Sequence, residues 1–338
     1  MNLTPEKMGK LVVVLGMHRS GTSATTRAMS ALGANFGNRL LPPLPGVNEK
    51  GFFEDVDILR INAELMGAAG KEWHSVGEIE LERVPPAQLE AFRAHAIATL
   101  RAKCQEGTTF AVKDPRMARL MPFWQPLFEE IGLSVVYAVT VRNPISVMRS
   151  LKKRDGLGEE KAYLLWLTHV VPALLDTRGC MRVIVDYDRL LDNPRGELKR
   201  MAVRLGLPLE AKRAEEFGRE FLEEGLRHTR FHARDLDVVR SAPHSLKKLF
   251  QALDELCRTD ASEDTIDEPL ELARQYLEDL APLLRDEMVV HKTIVKHNAA
   301  FAQRNKQIEE AKTLLAQRDE LIAGLERLLK QRQSLRTA

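Results

Sequence analysis

The stretch VVVLGMHRSGTSATTRAM, Val12–Met29, decides how the rest of the chain is read. An apolar run, Leu11–Leu15, ends at Gly16, and Gly21 follows five positions later. Thr22 and Ser23 then open a helical pattern. This is the layout of a phosphate-binding turn, where a helix N-terminus gathers backbone N–H groups and the positive end of its macrodipole. An ATP-type loop places Lys directly after its second Gly, and Ser or Thr after that. Thr22 stands in the Lys position. Gly16 and Gly21 permit the backbone conformations that bring N–H groups close to an anion. Arg19 adds a guanidinium fork suited to phosphate or sulfate oxygens, and Ser20, Thr22 and Ser23 add hydroxyls. The convergence of donors points to an anion, and the missing Lys to one other than the γ-phosphate of ATP.

Working outward, four short runs are apolar nearly throughout: Leu11–Leu15, Thr109–Val112, Val135–Val141 and Val183–Asp186. Such runs suit strands buried on both faces of a parallel sheet. Helical patterns fill the intervals, over Ser23–Leu32, Asp55–Ala68, Pro86–Gln105, Arg116–Glu130, Pro144–Lys153 and Glu159–Thr177. A further helix runs through Leu190–Leu205 after the Asn193-Pro194 break. The alternation predicts an α/β fold, a P-loop-like parallel sheet flanked by helices, with its ligand at the carboxyl ends of the strands. Leu40–Gly51 carries three prolines and two glycines and reads as a loop.

Beyond about residue 240 the chain turns to charged amphipathic helix. Ile308, Leu315, Ile322 and Leu329 fall seven apart, as do Leu314, Leu321, Leu328 and Leu335, which argues for a coiled-coil seam. The intervening series Ala311, Arg318, Leu325 and Arg332 is a weaker register, and a long helix lying on its own domain is the other reading. The expected organisation is a P-loop-like domain over 1–240, a helical region over 241–302 and a coiled-coil tail over 303–338 that joins copies of the chain or a partner protein.

Composition narrows the classes. The chain has 338 residues, with 50 Lys+Arg against 48 Asp+Glu, so a broad nucleic-acid surface is not expected and any anion site is local. Cys104, Cys180 and Cys257 are odd in number and far apart, reading as reduced thiols of a cytoplasmic protein. The segment MNLTPEKMGK has no apolar core, and LVVVL is too short to span a bilayer.

A second constellation is VTVRNPISVMRSL, Val139–Leu151. Arg142 leaves a strand end, Asn143-Pro144 fits a helix start, and Ser150 lies about two turns along that helix. Arg142 and Ser150 can share one phosphate, with Arg149 nearby. GMHRSGTS followed by RNPISVMRS resembles the PAPS-dependent sulfotransferase family. FAVKDPRMARLMPFW, Phe110–Trp124, resembles the KDPR segment of its bacterial members, and VIVDYDRLLDNPRGELKRMAVRLGLPL, Val183–Leu209, resembles its strand–Tyr–acidic–Leu–Asn-Pro segment. The resemblance covers roughly Lys10–Leu209. Arg19 stands where many animal members carry Lys.

The resemblance implies transfer of a sulfuryl group from PAPS to an acceptor hydroxyl or amine. Gly16, His18, Arg19, Ser20, Gly21, Thr22 and Ser23 would hold the 5′-phosphosulfate, and Arg142 and Ser150 the 3′-phosphate. Tyr187 and Trp166 would border the adenosine, and no metal is required. Relatives with carbohydrate or peptide acceptors place a Glu after the first helix, and NEKGFFED, Asn48–Asp55, supplies Glu54 beside two aromatics. Glu54 is therefore the expected base, with Glu49, Asp55 and His18 as alternatives. Lys113, Asp114 and Arg116 should face substrate or brace the loop. Bacterial members with this loop suggest a glycan or lipid-linked saccharide as acceptor. In GLRHTRFHARD, Gly225–Asp235, His228 and His232 are four apart but lack a third zinc ligand nearby. A kinase or NTPase, and a non-catalytic scaffold assembling through the tail, are the alternative readings.

Overall fold

A computed structural model of the chain describes residues 8–44, 51–221, 231–285 and 287–337. Four strands, β1 (Lys10–Leu15), β2 (Thr109–Lys113), β3 (Ser134–Val141) and β4 (Arg182–Asp186), form one parallel sheet in the order β2-β1-β3-β4. From β1 the chain adds β2 on one side and β3 on the other. The sheet therefore switches direction at the carboxyl end of β1, where open α/β sheets take their ligands.

Side-chain alternation along the strands builds two cores. Leu11, Val13 and Leu15 of β1 join Phe110, Val112, Tyr137, Val139 and Ile184 on one face. Val12 and Val14 join Ala111, Val136, Ala138, Val183 and Val185 on the other. The first core is covered by α2 (Val56–Ala68), α3 (Pro86–Lys103), α4 (Met121–Glu130), α6 (Glu159–Asp176) and α10 (His244–Thr259), with α11 (Asp267–Leu284) outside. The second is covered by α1 (Thr22–Met29), α8 (Pro194–Leu205) and α9 (Ala211–Phe221). α5 (Pro144–Asp155) adds Ile145, Val147, Met148 and Leu151 to the first core, and the short α7 (Tyr187–Asp192) adds Tyr187, Leu190 and Leu191 to the second.

The expected helix over Arg116–Glu130 is divided. Pro115–Arg119 is a 3-10 turn capped by Asp114, and α4 starts afresh at Met121. Pro122 falls in the first turn of the new helix, where its missing N–H costs no hydrogen bond, and the Asp114 cap has already started the separate turn before it. The helix expected from Leu190 begins earlier, because the Asp186 carboxylate accepts from Arg189 N at 2.8 Å and caps α7.

The compact unit runs to Arg285, and Asp286–Ala338 forms a second. The latter is one helix of 51 residues, α12 (Glu287–Thr337). Its start at Glu287 extends the seven-residue series back through Phe301 and Ile294, and both are exposed, as are Ile308, Leu314, Leu315, Leu321, Ile322, Leu328 and Leu329. The Leu335 side chain lies outside the described residues. Among the described residues no helix is long and apolar enough to cross a membrane. The three cysteines are unpaired.

Beyond its hydrophobic faces, the sheet edge is fastened by Arg182 of β4, whose side chain is 1% exposed. It donates to Leu174 O and Thr177 Oγ1 at the end of α6, and to Glu263 Oε2 at 2.6 Å before α11. Replacing Arg182 with Ala strands these acceptors. The unfolding free energy should fall by about 3 kcal/mol, seen in urea denaturation; a change within about 0.5 kcal/mol, the range of ordinary surface substitutions, would contradict this role.

Candidate functional site

The β1–α1 loop is shaped by three positive φ angles: Gly16 (145°), Arg19 (67°) and Gly21 (93°). Gly16 lies so close to β3 that a Cβ there would sit 2.6 Å from Thr140 O. At Gly21 a Cβ would fall 1.9 Å from the Tyr187 ring. Ser20 closes the turn by donating from N and Oγ to Met17 O, at 3.1 and 2.6 Å. Within α1, Ala24 N and Thr25 N bond back to Gly21 O, so the helix consumes N–H groups only from Ala24 onward. Thr22 is buried, and its carbonyl accepts from Thr26 Oγ1. Ser23 Oγ donates to Phe52 O at 3.2 Å, tying α1 to the segment that carries Glu54.

The second segment closes on the first. Arg142, just past the end of β3, donates from Nη1 to Arg19 O at 3.2 Å. Its guanidinium lies over the Tyr187 ring, 4.5 Å from the centroid. Arg19 Nε donates in turn to Ser150 Oγ on α5 at 2.8 Å. Arg19, Arg142, Ser150, Tyr187 and Gly21 are thus one continuous wall. Arg142 Nε is buried with no partner among the described residues. Burial first, then Arg154 and Arg142, lowers the Arg19 pKa, the mark of a cation crowded by cations. An anion relieves that crowding. Trp166 is fully buried: its indole donates to Arg142 O at 3.1 Å and its ring packs edge-on against Phe250, so it braces Arg142 from the core. Arg149 covers the Phe231 ring at 4.5 Å.

On the opposite side stands a buried polar wall. Leu41 N donates to Glu54 O and Val56 N to Arg39 O, which fixes the backbone on both sides of Glu54. The Glu54 carboxylate accepts from Lys113 Nζ at 2.8 Å, and both residues are buried. Burial raises the Glu54 pKa against the pull of Lys113, and Asp114 pushes the same way as burial. Asp114 accepts from Asn62 Nδ2 at 3.0 Å and from Arg116 Nη1 at 2.9 Å. Asn62 in turn accepts from the Trp124 indole at 2.8 Å. Of the aromatics beside Glu54, Phe53 turns to Phe36, with ring centroids 5.6 Å apart. Asp55 is the α2 cap and pairs with Lys103 at 2.7 Å, which removes its carboxylate from chemistry. Glu49 and His228 lie outside the described residues.

Three residues of this region carry no motif in the sequence. Trp73 packs on His18 at 4.7 Å, Arg154 lies over the Trp73 ring at 5.3 Å, and His169 faces His18 at 6.1 Å. The WH pair at 73–74, isolated in a loop, was the one available signal for Trp73.

A cavity of about 850 Å³ opens beside the loop, not in it. Asn143, Asp186, Arg189, Phe231, His232 and Asp254 are among its lining, so His232 borders this cavity. Burial, with Asp188 and Asp254, pushes Asp186 up to about 7 there. Among the described residues no three His, Cys, Asp or Glu side chains converge as metal ligands.

No family model and no curated protein matches the chain. Among solved structures it is similar to the sulfotransferase domain of the Synechococcus PCC 7002 olefin synthase, at 17% identity over 82% of this chain and 97% of that one, with a TM-score of 0.40. It is also similar to the sulfotransferase domain of the curacin biosynthetic pathway, at 14% identity over 81% and 99%, with a TM-score of 0.36. A third is retinol dehydratase in complex with androsterone and the inactive cofactor PAP, at 12% identity over 80% and 81%, with a TM-score of 0.30. These likenesses are distant, and function is read below from this chain's own residues.

The Gly21–Tyr187 contact is testable directly. Gly21→Ala forces a left-handed backbone on Ala and displaces the ring, costing roughly 1–3 kcal/mol in thermal or urea unfolding. Adding Tyr187→Ala should recover the steric part of that loss. A Gly21→Ala protein as stable as the wild type would contradict the packing described.

Proposed function

We propose that this chain transfers a sulfuryl group from PAPS to an acceptor hydroxyl. The observation that carries the reading is the Arg19–Ser150–Arg142–Tyr187 wall, where a loop for one anion and a helix for another share a side-chain hydrogen bond. A nucleotide with phosphate at both its 5′ and 3′ positions fits that pair of sites. The buried, unpartnered Arg142 Nε supports the fit. Residue 22 is a buried Thr, so the loop lacks the lysine that a γ-phosphate requires.

In the reaction the acceptor oxygen bonds to sulfur as the bond from sulfur to the 5′-phosphate oxygen breaks. The sulfuryl group moves to the acceptor, and adenosine 3′,5′-bisphosphate leaves with the electron pair. Arg19 and the loop N–H groups neutralise charge on the departing phosphate and the sulfuryl oxygens; losing one such donor typically costs on the order of 10²–10³ in rate. Glu54 takes the acceptor proton. Its raised pKa makes it a stronger base than an ordinary carboxylate, and Lys113 steadies the charged form. A carbohydrate hydroxyl is the acceptor class carried from the family resemblance. The seven-residue repeat on α12 fits a supercoiled seam better than a straight helix face, and we assign it to assembly with further copies.

Calorimetric titration with adenosine 3′,5′-bisphosphate, AMP and ATP tests the donor site. The bisphosphate should bind most tightly, and Arg142→Ala should weaken it about 10–100-fold. Equal or tighter binding of ATP would overturn the reading. Glu54→Gln keeps an oxygen for Lys113 but cannot accept a proton. It should cut turnover about 10²–10⁴-fold and leave bisphosphate affinity unchanged. In the wild type, turnover should rise with pH through a pKa above that of a free Glu, since the base must be ionised; an acid limb at or below the free value would count against Glu54. Removing 303–338 should reduce the mass measured by light scattering to that of the monomer and leave turnover intact. A monomeric full-length chain would end the assembly role.

A further inference from the structure

Two fully buried residues of the Glu54 wall, Asn62 of α2 and Trp124 of α4, have no task in the transfer just described. They belong to a chain of hydrogen bonds that runs in one direction only. An indole nitrogen donates and never accepts, so the 2.8 Å contact from Trp124 Nε1 fixes the facing Asn62 atom as its carbonyl oxygen. The Asn62 amide nitrogen is thereby turned to Asp114 and donates to Oδ2 at 3.0 Å. The other oxygen, Asp114 Oδ1, accepts from Arg116 N at 3.0 Å and from Arg116 Nη1 at 2.9 Å. Both oxygens of the buried Asp114 carboxylate therefore face N–H groups. A proton on either would meet another proton instead of a lone pair.

Glu54 is held differently. Its Oε1 accepts from Lys113 Nζ at 2.8 Å, whereas Oε2 has no hydrogen-bond partner among the described residues. The charged groups that bear on it are Lys113, Asp114 and Arg116. Burial raises its pKa most, Asp114 raises it further, and Lys113 and Arg116 pull it down. The wall thus packs two carboxylates with two cations. A proton entering it finds one carboxylate oxygen that faces no donor, Glu54 Oε2. Paired carboxylates in unlike surroundings divide the roles of acid and base in this way. Without the Asn62 N–H, Asp114 Oδ2 would face no donor either, and the proton would have two places to go.

We infer that Asn62 is a positioning residue for the base: turned by the Trp124 indole, it keeps both Asp114 oxygens occupied as acceptors, so that Glu54 is the carboxylate of this wall that takes the proton. That the proton comes from the acceptor hydroxyl rests on the sulfotransferase reading; the division between the two carboxylates does not. Asn62 acts through Asp114, whose charge stays beside the Glu54–Lys113 pair while Glu54 changes its own. Arg116 is carried on the same carboxylate, so its charge is held in place by the same amide.

The test is a 13C NMR titration of the full chain, labelled at its Asp and Glu side-chain carboxyl carbons, upward from about pH 5. Glu54→Gln and Asp114→Asn identify the two resonances by their loss. In the wild type the Glu54 carbon should titrate with a midpoint above that of a free Glu, while the Asp114 carbon stays still through that midpoint. In Asn62→Leu the two carbons should move together over one range. Trp124→Phe keeps an aromatic ring in the core and removes the donor that orients the amide; there the Asp114 carbon should follow Glu54 to a smaller extent. In Asp114→Asn, with the like charge gone, the Glu54 midpoint should fall by about one pH unit. Asp114 moving with Glu54 in the wild type overturns the inference. So does an Asp114 carbon that stays still in both Asn62→Leu and Trp124→Phe, or a Glu54 midpoint unchanged in Asp114→Asn. Should the Leu variant fail to fold, Trp124→Phe and the wild type decide. Calorimetry with adenosine 3′,5′-bisphosphate on the wild-type sample separates the two ideas. No bisphosphate binding overturns the transfer reading and leaves the division of the carboxylates to stand or fall by the titration. Binding together with a proton shared in the wild type overturns only the role of Asn62.

Discussion

The contact between Tyr187 and the backbone of Gly21 is what the site is built upon. The ring occupies the space a side chain on residue 21 would need. Once seated, it carries the Arg142 guanidinium on its face, and Arg142 holds the carbonyl of Arg19. The carbonyl fixes a left-handed backbone at Arg19, and that conformation sends its side chain to Ser150. Three segments far apart in the chain become one wall through a single absent methyl group. Each link is a neutral or charge-assisted contact of modest strength. The geometry is specific because they are serial, each placing the next.

Across from this wall the chemistry is of a different kind. The loop side is cationic and partly open; the Glu54 side is buried, with carboxylates held in place by Lys113, Asn62 and Arg116. Burying a carboxylate beside a lysine is costly unless the geometry is good, and it seldom adds stability over an apolar pair. Keeping Glu54, Lys113 and Asp114 together fits the proton-accepting role proposed for Glu54 better than it fits a contribution to stability.

The fold was largely legible because burial on both faces of a parallel sheet leaves an apolar signature in short runs, and all four runs became strands within one residue of their expected ends. The helix over 116–130 failed as a single element because periodicity registers neither the Asp114 cap of a separate 3-10 turn nor the proline in the first turn of α4. In the site, spacing exposed the loop and the Arg142–Ser150 pair, since both are local in sequence. It could not reveal that Arg19 bridges to Ser150, a contact across 131 positions. Trp73, Arg154 and His169 were invisible for the same reason: each matters only through a neighbour supplied by another segment.

Among the described residues, three that are not glycine adopt positive φ: Arg19, Phe53 and Asp260. Two of them flank the site, one in the loop and one beside Glu54. Such backbone costs on the order of 1–3 kcal/mol per residue and persists only where the surroundings impose it. Glycine at either position would relax the chain at once. Selection for thermal robustness alone would therefore erode this protein first at residues 19 and 53, trading the organised arrangement around them for a more comfortable backbone.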